Sequence, residues 1–353
     1  MSGSVDVLKK TNGHWVYMAP VVNLELTDAV RNEFVFGQVT FIRYSKLKRV
    51  IKRFGLTKAD IQFKQIVAKG DYNPHRTIAV VSTPGTPESI APQCYEMVRD
   101  ELFRLSASQL YYRQRNGMCL PVIANGADSW ITHHFRERNS GAGLTVNKAR
   151  SSVNPLTLDR DWKQANRSHF FGYFIKARAG ALGFEKDFRD DIVRAVTLVG
   201  RSIHTRDRAG AFLWNMVALE VLLTRKSDRG YSKLLPQRIE ALIGWINDWS
   251  SRKFPERIKE VYKQRCAVVH AGRVDDVTPD DLIFSEDLVM NTLFNVLRHP
   301  KLFKNKDDLI NFAELVRAEK LLGLKRWKVR PKTLTFFHRK RNANAVVESE
   351  SEI

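Results

Sequence analysis

The residues of this chain best suited to chemistry lie in Val261–Arg273, VYKQRCAVVHAGR, where Arg265 precedes His270 by five positions. A guanidinium is a permanent cation with a planar fork of donors, suited to charge that develops on an oxyanion. An imidazole titrates near neutrality, so it can take or give a proton at ordinary pH. Such a pair could move a proton beside a stabilised anion without a metal. The spacing carries little on its own. With 33 Arg and nine His in 353 residues, chance would place such a pair once, and once is how often it occurs.

Context gives the pair its weight. Ile258, Val261, Tyr262, Cys266 and Val269 mark the apolar stripe of an amphipathic helix, and Arg265 falls inside that stripe. A guanidinium on a packing face is costly unless it is paired or used. Glu220, the sole ionisable residue of Ala209–Thr224, is its natural partner. Two ionisable groups on helices that otherwise bury are a local inconsistency of the kind that marks sites. The plain alternative is a structural Glu–Arg pair, or an Arg that buries its stem and keeps its head in water. Along an ideal helix five residues rise about 7.5 Å and turn about 140°, so the two side chains do not stack on one face. Gly272 suits a helix stop, and a histidine in a fraying last turn can swing back.

The elements that must hold these groups are helices. Glu185 to Arg298 has few strand signals. Asp187–Thr205 carries an apolar stripe at Phe188, Ile192, Val196 and Val199. Ala209–Thr224 is apolar nearly all round, as expected at the centre of a bundle. Leu235–Trp249 and Pro255–Ala271 follow, and Thr278-Pro279 is a start signal for a helix that covers Ser285–Leu297. Five helices with short connections predict an α-bundle over 181–300.

Residues 1–180 read as a mixed α+β domain. HWVYMAPVVNLEL, FVFGQVTFIRY and TIAVVS have the β-branched and aromatic content of strands. Ser45–Phe54 and Ser89–Ser106 read as helices, and the Ser-, Gly- and Asn-rich stretch 139–155 as an exposed loop. Residues 301–353 read as a basic and aromatic extension with an acidic end. Leu321–Arg341 holds eight Lys or Arg and no acid, interleaved with Trp327, Phe336 and Phe337. There Lys325, Arg326, Lys328 and Arg330 beside Trp327 could follow a phosphate backbone while stacking a base. The bland alternative is a solvated basic face.

The helices also carry a resemblance. VALEVLLT, LPQRIEALIG and VYKQRCAVVHAG resemble, in that order, successive helices of the HEPN domain family, closest to its ApeA-like branch. The resemblance spans roughly Phe184–Arg298. It implies an all-α HEPN bundle and a metal-independent RNA endonuclease with Arg265 and His270 catalytic and Glu220 orienting. Ribose supplies its own nucleophile, the 2′-OH, so the expected products are a 2′,3′-cyclic phosphate and a 5′-OH end. One histidine cannot easily be base and acid together, and the resemblance implies a homodimer in which two copies of the motif line one groove. It further implies a setting of defence against phage or stress, with residues 1–180 sensing an unknown trigger ligand or protein. Family members often have a polar residue after the Arg, where this chain has Cys266, which reads most simply as core. A toxin-like HEPN silenced by modification carries a tyrosine just after the His, and Ala271-Gly272-Arg273 stand there instead. The alternative from another class is a non-catalytic nucleic-acid-binding or dimerisation module on the same scaffold.

Bulk properties agree with an RNA partner. The formal charge is +20, which favours polyanions at moderate salt. No apolar run reaches the roughly 20 residues of a membrane span, and no secretory leader is expected at MSGSVDVLKK. Three separated cysteines suggest neither a disulfide framework nor a zinc site, which fits a reducing cytoplasm. No cofactor or metal is expected. His133-His134 lacks supporting ligands, 139–144 lacks the lysine of a phosphate loop, and Cys119 has no activating neighbour in sequence.

Overall fold

Apolar β-branched and aromatic residues build the strands of the N-terminal part. The computed structural model describes residues 7–11, 14–30, 33–54, 77–84, 87–113, 115–123, 134–138, 141–145, 155–167, 169–243, 253–323, 331 and 333–336. The strands are β1 (Val7–Thr11), β2 (His14–Val22), β3 (Leu24–Leu26), β4 (Glu33–Phe36), β5 (Val39–Arg43), β6 (Thr77–Thr83), β7 (Val122–Ile123), β8 (His134–Arg138), β9 (Gly141–Thr145) and β10 (Leu156–Leu158). β1, β2, β6, β5 and β4 lie side by side in that order, with β7 joined to the end of β2, and every pair is antiparallel. β10 runs parallel to β3, and β8 and β9 form a separate antiparallel pair.

The central strands β2, β5 and β6 are buried on both faces, which is why they read as nearly continuous apolar runs. Val16, Met18, Ile42, Ile78 and Val80 cluster on one side with Leu47. Tyr17, Ala19, Val21, Phe41, Ala79 and Val81, at the alternate positions, are buried as well. The helix expected over Ser45–Phe54 is broken into a single turn, α1 (Leu47–Val50), between two 3-10 turns. α2 (Pro87–Ala107) covers the predicted Ser89–Ser106. Part of the expected loop over 139–155 is instead strand β9, because Gly141–Thr145 completes a register with His134–Arg138.

Helices dominate the rest: α3 (Arg160–Arg167), α4 (Phe170–Arg178), α5 (Lys186–His204), α6 (Arg208–Leu223), α7 (Tyr231–Leu242), α8 (Lys253–Ala271), α9 (Pro279–Arg298) and α10 (Lys306–Leu321). An antiparallel sheet region followed by helices is therefore the architecture. The chain divides into two compact units, Met1–Tyr173 with Val196–Arg206, and Phe174–Ala195 with Asp207–Ile353. α5 belongs by its first half to the second unit and by its last turns to the first. Gly200 in that part of α5 is required by packing, since a Cβ there would fall 2.1 Å from the Phe103 carbonyl oxygen on α2.

Within the second unit, α6 packs chiefly on α9 and also touches α7, α8 and α10, while α7 lies against α8 and α10. Local chemistry sets the ends. Asp207 accepts from the backbone N–H groups of Ala209 and Gly210 at the start of α6. Thr278 and Asp281 close a reciprocal capping box at the start of α9, with Pro279 in its first turn. Asn305 and Asp308 do the same for α10, a helix inside the segment 301–353 expected as a basic and aromatic extension. Its apolar face, Leu309, Ile310, Ala313 and Val316, is buried. No helix among the described residues is long and apolar enough to cross a membrane.

Candidate functional site

Arg265 sits in the second turn from the end of α8, and Glu220 in the last turn of α6. Their side chains meet across the two helices. Arg265 Nη2 donates to Glu220 Oε2 at 2.9 Å. Arg265 Nε also lies 2.9 Å from Glu220 Oε1, but its N–H is not aimed at that oxygen, so the second approach is a close ionic contact without a hydrogen bond. The two side chains are 18% and 21% exposed, which places the pair at the rim of the packed interior rather than beneath it. Among the described residues nothing hydrogen-bonds to Arg265 Nη1. One edge of the guanidinium is thus held and another is open.

Tyr262 lies one turn before Arg265, with the guanidinium carbon 6.0 Å from its ring centroid. Burial, with the Glu220 charge second, pushes the Tyr262 phenol up to about 12. It keeps its proton at any ordinary pH and cannot serve as a base. Cys266 is half-buried, hydrogen-bonded to Tyr262, while Cys94 and Cys119 are buried. Cys119 receives a hydrogen bond from Arg113 Nη1 at 2.8 Å, but burial raises its thiol, so the arginine does not make it a ready nucleophile.

His270 is exposed in the last turn of α8, and the helix ends where expected. Gly272 adopts φ +64° and its N–H returns to the Val268 carbonyl at 3.2 Å, a left-handed cap that a side chain would strain. The structure therefore brings Glu220 and Arg265 together, and leaves His270 on the same helix as Arg265 but not in contact with it. Val269, between them, is 49% exposed although apolar. This end of α8 thus exposes one apolar side chain between the cation and the imidazole in sequence.

The expected RNA-binding residues Lys325, Arg326, Trp327, Lys328 and Arg330 lie outside the described residues. Phe336, grouped with them by sequence, is core. It is 6% exposed and packs edge-on against Phe254 at 5.4 Å. Asn295 on α9 fastens this segment, donating to the Thr335 carbonyl at 2.8 Å and accepting its N–H at 3.0 Å. Among the described residues no group of three His, Cys, Asp or Glu is arranged to hold a metal ion.

Sequence reasoning passed over a second Arg–carboxylate pair. Arg238 on α7 is 4% exposed and donates to both carboxylate oxygens of Asp228, to Oδ1 at 3.1 Å. The signal was present: Arg238 lies between Leu235, Ile239 and Leu242 on a buried stripe, as Arg265 does on its own helix.

Comparison of the chain with family models, with curated proteins and with solved structures gives no match in any of the three.

Proposed function

We propose that the second unit is a metal-independent RNA endonuclease of the HEPN type. The observation that carries this reading is the guanidinium of Arg265: fixed by Glu220, unengaged at Nη1 among the described residues, and on one helix with an exposed imidazole. In the proposed reaction the Arg265 donors stabilise charge on the pentacoordinate phosphate. His270 takes the proton of the ribose 2′-OH as that oxygen attacks the adjacent phosphorus. The P–O5′ bond breaks, and the leaving oxygen takes a proton from the His270 of a second copy. The products are a 2′,3′-cyclic phosphate and a 5′-OH. Glu220 orients the guanidinium, and the absence of contact between Arg265 and His270 within one chain is compatible with a site shared by two copies. The charge of +20 supports a polyanionic substrate, and the first unit is read as the sensing part.

The test is cleavage of a structured RNA in EDTA by the wild type, Arg265→Ala and His270→Ala. Cleavage that survives chelation, leaves a cyclic phosphate, and falls by about 100-fold or more in each variant is expected. Equal residual cleavage in all three preparations would overturn the reading. It would favour a non-catalytic nucleic-acid-binding or dimerisation module, for which the existing charge balance of Arg265 by Glu220 is the supporting observation. A fully active monomer in sedimentation would remove the shared groove.

A further inference from the structure

Glu220 can orient Arg265 only if the end of α6 is itself held still. Helix ends leave their last carbonyls without intrahelical partners, and the last turn frays. Two devices oppose this at α6. Thr224 returns both its N–H (3.0 Å) and its hydroxyl (2.7 Å) to the Glu220 carbonyl. The Leu223 carbonyl accepts Arg238 Nη1 at 2.7 Å. The Arg238 guanidinium is buried and has few other ways to lie: Nη1 and Nη2 both reach Asp228, and Glu314 on α10 stands 3.9 Å from Nη2. Asp228 in turn accepts the backbone N–H of Arg225 at 2.8 Å, so the turn leaving α6 is folded back onto the same cation. The hydrogen bond from Arg238 holds the Asp228 carboxyl below its usual range, so the carboxylate stays ionised through neutral pH.

We propose that Arg238, clamped by Asp228, is a positioning residue for the Arg265 site: it caps α6 at Leu223 and thereby fixes Glu220, which fixes Arg265. The chain of contacts is continuous from Asp228 to Arg238, to the Leu223 carbonyl, along one turn of α6 to Glu220, and across to Arg265. The functional half of the proposal rests on the endonuclease reading, and the geometric half does not. A bidentate fork is needed at Arg238, because one cation must reach two carboxylate oxygens and a carbonyl at once.

The full-length chain is tested as Arg238→Met, Arg238→Lys and Asp228→Asn, each alone and combined with Glu220→Gln. The first readout is the rate at which the Cys266 thiol reacts with a water-soluble disulfide reagent, since Cys266 neighbours Arg265 and the other two cysteines are buried. The second is kcat and KM for RNA cleavage per folded molecule. The expected result is Cys266 reaction faster on the order of tenfold in Arg238→Met, with little further change on adding Glu220→Gln, because coupled residues are not additive. kcat should fall by a similar factor with KM nearly unchanged. If Arg238→Met does not fold, Arg238→Lys and Asp228→Asn carry the test, with a smaller effect in the same sense.

Lower stability with an unchanged Cys266 rate and unchanged kcat would overturn the proposal and leave Arg238 as a structural clip. Additive effects in the Glu220→Gln background would overturn the route through Glu220. If the wild type cleaves no RNA while the Cys266 rates behave as expected, the endonuclease reading fails and the clamp on α6 stands.

Discussion

Two histidines, one in each unit, show how the same ring is put to opposite uses. His204 near the end of α5 is 9% exposed, packs edge-on against Phe103 at 4.9 Å, and lies 2.8 Å from Ser106 Oγ through Nε2. Because Ser106 gives its own proton to the Leu102 carbonyl at 2.9 Å, it must accept from His204, which assigns the proton to Nε2. A serine and a histidine at this distance resemble a nucleophile and its base, yet the hydroxyl points its proton away and the ring is sealed. Burial, aided by the Arg115 charge, lowers His204 to about 3. His270 has none of these features: it is exposed, at a helix end, close in sequence to a guanidinium whose Nη1 has no partner among the described residues. Access to solvent and an unspent donor, rather than the pairing of residue types, separate a reactive arrangement from a packing one.

That contrast can be broken most directly by removing each ring. His270→Ala should lower RNA cleavage by about 10²–10⁴-fold with little loss of stability. His204→Ala should leave turnover per folded molecule unchanged and lower stability by about 2–4 kcal/mol, measured by urea unfolding. A loss of turnover in folded His204→Ala, with stability intact, would reverse the assignments.

A smaller set of effects sharpens the picture of the closed region. Gly200→Ala should cost about 3 kcal/mol or prevent folding, because the added methyl meets the Phe103 backbone, which cannot step aside as a side chain would. Acid should act through His204 with a definite sign. Its folded value lies below the ordinary 6.5, so the unfolded chain binds the extra proton between about 6.5 and 3, and stability falls as pH drops through that window. At pH 5.5 the contribution is about 1 kcal/mol relative to neutral pH. His169, also lowered by burial, acts in the same sense, so His204→Gln should flatten the slope without abolishing it. Unchanged pH dependence in that variant would mean that His204 is not sealed.

Much of this was readable in one dimension. α5, α6, α8 and α9 follow from apolar periodicity and from Thr278-Pro279 and Gly272, whose cap chemistry is local. β2, β5 and β6 follow from β-branched content. α10 was equally legible, since Asn305 and Asp308 announce its start ahead of the basic segment. The pairing of Glu220 with Arg265 was inferable because an ionised group on an apolar stripe demands a partner, and only one carboxylate was offered on the helix before it. The same logic holds at Arg238, but its partner Asp228 lies in a turn, where periodicity gives no guide.

Composition and pattern determined the class of each element, the basic charge, and which ionised groups could not be left alone in a core, because those depend on near neighbours and on the cost of burial. Tertiary packing decided the remainder: that Arg265 keeps an open edge while Arg238 is closed on three sides, that His204 is sealed and His270 is not, and that Phe336 is core. Exposure is set by what comes from distant parts of the chain to lie over a residue. No local spacing encodes that.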